Sequence, residues 1–269
     1  KAELLSVLGK QEALQDYLAV LEFAHNQFTE QSLSQAARLE LDKHEFAIAA
    51  LHYNQLLEQA QDKELQREAI ISLFTCYKAL NNTEEMKNSA ERILALDKLS
   101  DDLEVEARLV LGNAAFYSSE YHLAAKHYKW IVEATSADAG AEAKYQLTYI
   151  LFLQDDLTTT EESVFQLAEH FTNDYFIAKG FILLGDVYLD QGNLFQAKAT
   201  LESVIENHDG EELNALAKEK LQVILSLEES QNQNGKEEEI IIDLLNDMDI
   251  DYESFMEEEE EENTVEDEE

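Results

Sequence analysis

Apolar residues recur along this chain in two nested rhythms. Over short stretches they fall three or four positions apart, as in Phe181, Leu184, Gly185 and Tyr188, then Ala197, Leu201 and Val204. That spacing puts one apolar stripe on a helix. Over longer stretches the whole pattern returns after about 37 residues. Leu147, Leu151, Val164 and Leu167 form the preceding copy, and Leu111, Gly112, Ala124, Tyr128 and Ile131 the one before it. Phe74, Tyr77 and Ile93, then Leu39, Ala49, Tyr53 and Leu56, continue the series toward the N-terminus. A fixed period between roughly 20 and 50 residues marks a solenoid, in which each unit buries its apolar face only against its neighbours.

Polar turns cut each copy into two predicted helices. They are Glu64–Leu80 with Thr83–Ala95, Asp102–Ser118 with Tyr121–Ala134, Ala139–Gln154 with Thr158–His170, and Tyr175–Gln191 with Leu194–Asn207. Thr83, followed by Glu84 and Glu85, is expected to cap its helix, with the acids complementing the dipole. Gly192-Asn193 predicts a left-handed C-cap. Small residues recur where helices must cross closely: Gly112, Thr148 and Gly185 at one repeat position, Ala49, Ala124 and Ala197 at another. Tyr53, Tyr128 and Leu201 are the large residues expected beside them.

Composition narrows the picture. The chain has 269 residues and no proline, which suits a molecule helical nearly end to end. The lone Cys76 lies between Phe74 and Tyr77 and reads as a small buried hydrophobe, with no internal disulfide available. No stretch approaches the roughly 18 apolar residues of a spanning helix. The net charge of −39 is uneven: residues 236–269 carry 18 acids against one lysine. Such a surface repels phosphate backbones, so nucleic acid is excluded as a partner and basic proteins or cations are favoured. The chain opens on Lys1, and Gln11–His25 reads as the second helix of a unit whose first helix is missing. We therefore expect a piece of a longer chain or larger assembly, with any signal or lipid anchor upstream.

The run Phe181-x-x-Leu184-Gly185-x-x-Tyr188-x-x-x-Gly192-x-x-x-x-Ala197-x-x-x-Leu201 resembles the tetratricopeptide repeat at nearly every signature position. The resemblance covers roughly residues 10–225 and is strongest in the last unit. It departs in three ways: units of 36–38 residues instead of about 34, no closing proline, and Phe181 where the family has Trp. It implies an all-α fold, a right-handed α-α superhelix. Its divisions would be 1–26 (a second helix alone), helical pairs at about 27–63, 64–100, 101–137, 138–174 and 175–210, a capping helix at 211–230 and an acidic tail at 231–269. The Phe176–Ile205 style also resembles the C-terminal region of long tetratricopeptide-repeat proteins of Bacteroidota, many of them exported. That implies a periplasmic or outer-membrane setting, with the cytoplasm left open.

In this family the inner groove is lined by the first helix of each unit. The resemblance thereby implies a protein-binding groove containing Asn113, Phe116, Tyr117, Tyr145, Tyr149, Phe152, Lys179 and Asp186. Its aromatic residues offer the large rigid contact area typical of binding hot spots, although several of them could equally pack between units. The Lys/Asn/Arg clamp of chaperone-binding relatives is not reproduced: Asn113 matches, but its neighbours are Tyr149 and Asp186. The implied function is a non-catalytic scaffold holding a client peptide or subunit. The alternatives are an acidic chaperone-like protein that shields a basic client, or a structural subunit of a cell-envelope complex.

The tail mixes acids with Ile240, Ile241, Ile242, Leu244, Leu245, Tyr252 and Phe255. Segments of this kind stay disordered until they meet a partner, and this one reads either as a solubilising tail or as a docking segment. Asp247, Asp249, Asp251 and Glu258 match EF-hand spacing, but Tyr252 stands where the loop needs glycine, so no calcium site is expected. The chain has no glycine-rich phosphate loop, no His-Glu-x-x-His and no Cys-x-x-Cys, so no catalysis, metal or cofactor is expected. His52 and His127 occupy equivalent repeat positions, and Asn81-Asn82-Thr83 is a sequon at an ordinary turn.

Overall fold

The structure, a computed structural model, describes residues 2–233, with side chains from 9 to 230. Twelve helices and no strand occur among the described residues. The chain divides into two compact units, 1–127 and 128 onward. In unit 1, α1 (Ala2–Leu21) packs on α2 (Thr29–Leu41), and α3 (Phe46–Gln59), α4 (Lys63–Ala79), α5 (Thr83–Leu94) and α6 (Asp101–Tyr117) follow, each against its predecessor. The division falls inside α7 (Tyr121–Ala134). In unit 2, α8 (Asp138–Leu153), α9 (Leu157–His170), α10 (Asp174–Asp190), α11 (Leu194–Asn207) and α12 (Glu211–Gln233) pack in the same consecutive way. First helices of successive pairs also touch: α2 with α4 in unit 1, α8 with α10 and α10 with α12 in unit 2. This stacking of helical pairs is what the period predicts.

The turn inside each pair follows one design. His44, Asn81, Ser119, Asp155 and Gly192 all adopt positive φ, between 49° and 72°. The next residue then donates its N–H back to the carbonyl five positions earlier, as in Asn82 to Tyr77 (3.0 Å), Asp156 to Leu151 (3.1 Å) and Asn193 to Tyr188 (2.8 Å). This is the Schellman C-cap, which satisfies carbonyls that the ending helix leaves orphaned. Only Gly192 adopts that conformation without a Cβ penalty; the others accept a left-handed strain of roughly 1 kcal/mol, least for Asn and Asp. The residue after the left-handed one then caps the new helix. Asn82, Asp156 and Asn193 each accept an N–H from three residues on, at 3.2–3.3 Å. Asn82, and not Thr83 as the sequence suggested, is therefore the cap of α5. Once Asn81 takes the left-handed position, Asn82 is the half-in residue and Thr83 is already helical. The first helix also differs from expectation, spanning Ala2–Leu21 in place of Gln11–His25.

The small-beside-large expectation holds. Ala49, Ala124, Ala197 and Thr148 are fully buried, and so are Tyr53 and Tyr128. A Cβ on Gly185 would lie 2.9 Å from Leu201 Cδ2, so glycine is what lets α10 and α11 approach. Thr148 adds a polar rung, its hydroxyl 2.7 Å from Ser163 Oγ and donating to the Lys144 carbonyl at 2.8 Å. Burying each Tyr, Leu or Ile stabilises the stack by roughly 2 kcal/mol, and these residues supply most of the cohesion. Cys76 is buried, and burial pushes its thiol up to about 11, beyond reach of ordinary thiolate chemistry.

Candidate functional site

The first helices of unit 2 present the most chemically distinctive face. On α8, Glu142, Tyr145, Tyr149 and Phe152 lie three or four positions apart and therefore share one stripe. The Tyr145 and Tyr149 rings are 6.3 Å apart and within 3° of parallel, and Phe152 continues the stack 6.3 Å further at 16°. The neighbouring α10 adds Phe176, 6.2 Å from Tyr145, and Tyr175, edge-on to Phe176 at 5.3 Å. Lys179 reaches over these rings from α10, its ammonium 4.8 Å from the Tyr175 centroid and 5.6 Å from that of Tyr145. Only 7% of Lys179 is exposed. Loss of hydration brings its ammonium down to about 8, against the pull of Glu212 and Glu142. Cation–ring attraction is worth most in such a desolvated position.

Toward the C-terminal end of α10 the face becomes acidic. Lys220 of α12, only 6% exposed at its side chain, donates to both oxygens of Asp186, at 2.9 and 3.1 Å. One turn on stands Asp190, exposed by surface area. The protein packed about its carboxyl, and then the charges of Asp186 and Asp155, raise it above the usual carboxylate range; Lys220 opposes them. Asp155 occupies the left-handed turn position after α8, its N–H donating to the Phe152 carbonyl at 2.8 Å.

A cleft of about 440 Å³ opens elsewhere in unit 2, with Val132, Glu133, Thr135, Lys144, Gln166 and His170 among its walls. Lys144 donates there to Ser163 Oγ (2.8 Å) and Gln166 Oε1 (2.9 Å), and desolvation lowers its pKa. Among the described residues no cluster of His, Cys, Asp and Glu could hold a metal ion, and no helix is long and apolar enough to cross a membrane.

In unit 1 the expected groove residues sit on α6. Phe116 is buried against Tyr121 (5.6 Å) and Tyr117 (5.8 Å), Tyr117 is 40% exposed, and Asn113 is half-buried. The first helices here are joined by their own charges. The Arg38 guanidinium grips Glu68 with two N–H groups, Ser34 also donates to Glu68 (3.0 Å), and Lys78 faces Glu106 at 3.7 Å. Arg67 donates to the carbonyls of Asp97 (2.6 Å) and Lys98 (3.0 Å) in the α5–α6 turn. His52 packs against the buried carboxylate of Glu40, 2.6 Å away, and His127 is lowered by desolvation and by Arg108 and Lys126.

Unit 2 thus assembles Tyr145, Tyr149, Phe152, Lys179 and Asp186, while Asn113, Phe116 and Tyr117 belong to unit 1. Tyr175, Phe176, Glu212 and Lys220 are additions that the sequence reasoning missed. Lys220 could have been found, since it falls 34 residues after Asp186, close to one repeat on. The tail segment Ile240, Ile241, Ile242, Leu244, Leu245, Tyr252 and Phe255 lies outside the described residues, as does the EF-hand-like spacing.

No protein-family model and no curated protein matches the chain. Solved structures do. YrrB, a tetratricopeptide-repeat protein with an unusual peptide-binding site, superposes with a TM-score of 0.53 at 21% identity, covering 73% of this chain and all of its own. A tetratricopeptide-repeat protein of Parabacteroides merdae gives 0.42 at 19% identity over 81% of this chain and 78% of its own. TTC0263 of Thermus thermophilus gives 0.40 at 17%, over 72% and 99%. With its helical pairs and signature residues in place, the chain has the tetratricopeptide-repeat fold.

Proposed function

We propose that this chain is a non-catalytic scaffold for protein–protein interaction, holding a client segment against the first helices of unit 2. The observation that carries this reading is the Tyr145–Tyr149–Phe152 stack on α8, extended by Phe176 and Tyr175 of α10. Tyr145 is buried and anchors the stack, while Tyr149, Phe152, Tyr175 and Phe176 are partly exposed. Rigid aromatic side chains lose little entropy on binding and are enriched where interface energy concentrates. The peptide-binding site of the similarly folded YrrB is consistent with this use of the fold. The test is affinity capture from native extract with three forms of the chain: intact, ending at Gly235, and Tyr149→Ala/Phe152→Ala. The client is expected to remain on the chain ending at Gly235 and to be lost, by about tenfold or more in affinity, from the folded aromatic variant. A client unaffected by the aromatic change would overturn the reading.

A second reading rests on charge: the tail, with 18 acids against one lysine, would itself shield a basic client. Loss of the client on truncation at Gly235, with steep weakening by salt, would favour it.

A further inference from the structure

The cleft of about 440 Å³ in unit 2 is separate from the aromatic stack and is built from different residues. The turns after α7 and after α9 supply much of its lining. They are tied to one another, since Asn173 donates its side-chain N–H to Asp138 Oδ1 at 2.9 Å. Phe171, a lining residue, is buried, and its ring lies so near Gly140 that a Cβ there would stand 2.8 Å away. The cleft is therefore held open by fixed parts, as small-molecule sites of roughly 300–1,000 Å³ generally are.

Three of its polar lining residues, Lys144, Gln166 and His170, are joined in a row. Lys144 Nζ donates to Gln166 Oε1 (2.9 Å) and to Ser163 Oγ (2.8 Å), and His170 Nδ1 donates to the Gln166 backbone carbonyl (2.8 Å). These bonds decide what each group still offers. The ammonium has used two of its three N–H donors. The Gln166 side chain accepts through its oxygen and keeps the two N–H groups of its nitrogen. His170 keeps Nε2, which donates when the ring is charged. The row thus offers donors to a ligand that accepts.

Lys144 also differs from other lysines of unit 2. Lys198 and Lys220 meet the carboxylates of Glu228 and Asp186, at 3.0 and 2.9 Å. Among the described residues the hydrogen-bond partners of the half-buried Lys144 are neutral, Ser163 and Gln166. In a chain with 58 acids and 19 bases, this ammonium stands at a cleft wall without a carboxylate partner. Burial disfavours such a charge until an anion meets it, and the resulting charge-assisted bonds are among the strong ones.

We infer that the cleft binds a small carboxylic acid, its carboxylate held by N–H groups of Lys144 and Gln166 and its apolar body against Val132 and Phe171. A phosphate fits less well: Glu133 is another wall residue, and a net charge of −39 repels two charges more than one. A free acid and the C-terminal residue of a peptide share this chemistry, and the test separates them.

The test is an NMR titration of the intact, nitrogen-15-labelled chain with four probes. They are 3-phenylpropionate, its uncharged amide, phenyl phosphate, and the peptide acetyl-Ala-Ala-Phe with a free C-terminus. The acid is expected to shift the amides of Thr135, Lys144 and His170 saturably, with a Kd of roughly 1 mM, and the uncharged amide to bind about tenfold more weakly. Lys144→Met should weaken the acid about tenfold and Gln166→Leu about threefold. Lys198→Met, the same charge change at an ion pair on α11, should change it less than about twofold. Lys144→Met also removes a link between α8 and α9, so Gln166→Leu, at an exposed position, carries the test if that variant unfolds. Tighter binding of the acid than of the peptide supports a free ligand, and binding of the peptide alone overturns that and assigns the cleft to a chain end. Equal binding of acid and uncharged amide would overturn the inference, as would tighter binding of the phosphate or equal losses in Lys144→Met and Lys198→Met. So would the absence of any saturable shift at tens of millimolar. None of these outcomes involves Tyr149 or Phe152, so the scaffold reading stands or falls on its own capture experiment.

Discussion

The two units repeat one helical pair yet treat their charges in opposite ways. All four arginines, Arg38, Arg67, Arg92 and Arg108, lie in unit 1. Two of them tie first helices or turns together at the surface, Arg38 with Glu68 and Arg67 with the carbonyls of Asp97 and Lys98. Unit 2 has lysines only, and it draws two of them, Lys179 and Lys220, into nearly full burial. Their partners are tyrosine rings and the Asp186 carboxylate. Both units rest on the same buried small-beside-large pattern, Ala49 with Tyr53 in one and Ala197 with Leu201 in the other. Cohesion and surface chemistry are therefore separable in this fold. The core repeats because the backbone spacing demands it, and the first-helix face is left free to diverge.

The largest expected effect would break unit 2 selectively. A Cβ on Gly140 would sit 2.2 Å from the Thr135 carbonyl oxygen and 2.8 Å from Phe171 Cε1. Because the first of these is backbone, relief requires the α7–α8 turn to move. Gly140→Ala should cost about 3 kcal/mol. Amide exchange should accelerate in α8 and α9 while α3 and α4 keep their protection. A loss below about 1 kcal/mol would show that the turn yields easily.

Next in size is the contrast between buried and exposed ion pairs. Asp186→Asn removes the carboxylate to which buried Lys220 donates and should cost about 3 kcal/mol in urea unfolding; adding Lys220→Met should recover most of it. Asp42→Asn removes the partner of Lys10, where both side chains are about half exposed, 52% and 54%, and should cost less than about 1 kcal/mol. Similar costs at the two sites would erase the distinction between the units.

The smallest effect sharpens what the units share. Gly192 sits at φ 72°, so Gly192→Ala should cost about 1 kcal/mol. Ser119 holds the same position in unit 1 at φ 58°, and Ser119→Gly should stabilise by a few tenths of a kcal/mol, once the greater freedom of glycine in the unfolded chain is offset. The opposite signs are the test, read as shifts in melting temperature in opposite directions.

Much of the fold was legible because packing is periodic. Helical pairs, the crossing positions of Gly185 and Thr148, and the cap at Gly192 could all be read from spacing and residue size. The turns at His44, Asn81, Ser119 and Asp155 were missed as left-handed caps because none carries the glycine that signals one. There the demand of the surrounding helices for a tight connection overrides local preference. Thr83 was expected to cap for the same reason: its chemistry suits a cap, but the turn geometry delivers Asn82 to that place. At the candidate site, residue types were legible and their depth was not. Tyr145 is 3% exposed whereas Tyr117 is 40% exposed, though both are tyrosines on first helices.

The amino-acid order alone determined the helical repeat, its period and the steep rise of negative charge toward the C-terminus. These follow from where apolar, small and ionisable residues stand along one dimension. Only the tertiary structure decided that Lys179 lies over Tyr145 and Tyr175, and that Asp186 meets Lys220 from another helix 34 residues away. It also decided that the Tyr145 and Tyr149 rings lie parallel, with Phe176 of the neighbouring helix beside Tyr145. Those meetings depend on how far one helix is turned and shifted against the next. Small differences in side-chain volume and turn geometry set that rotation, and hydrophobic periodicity leaves it undetermined.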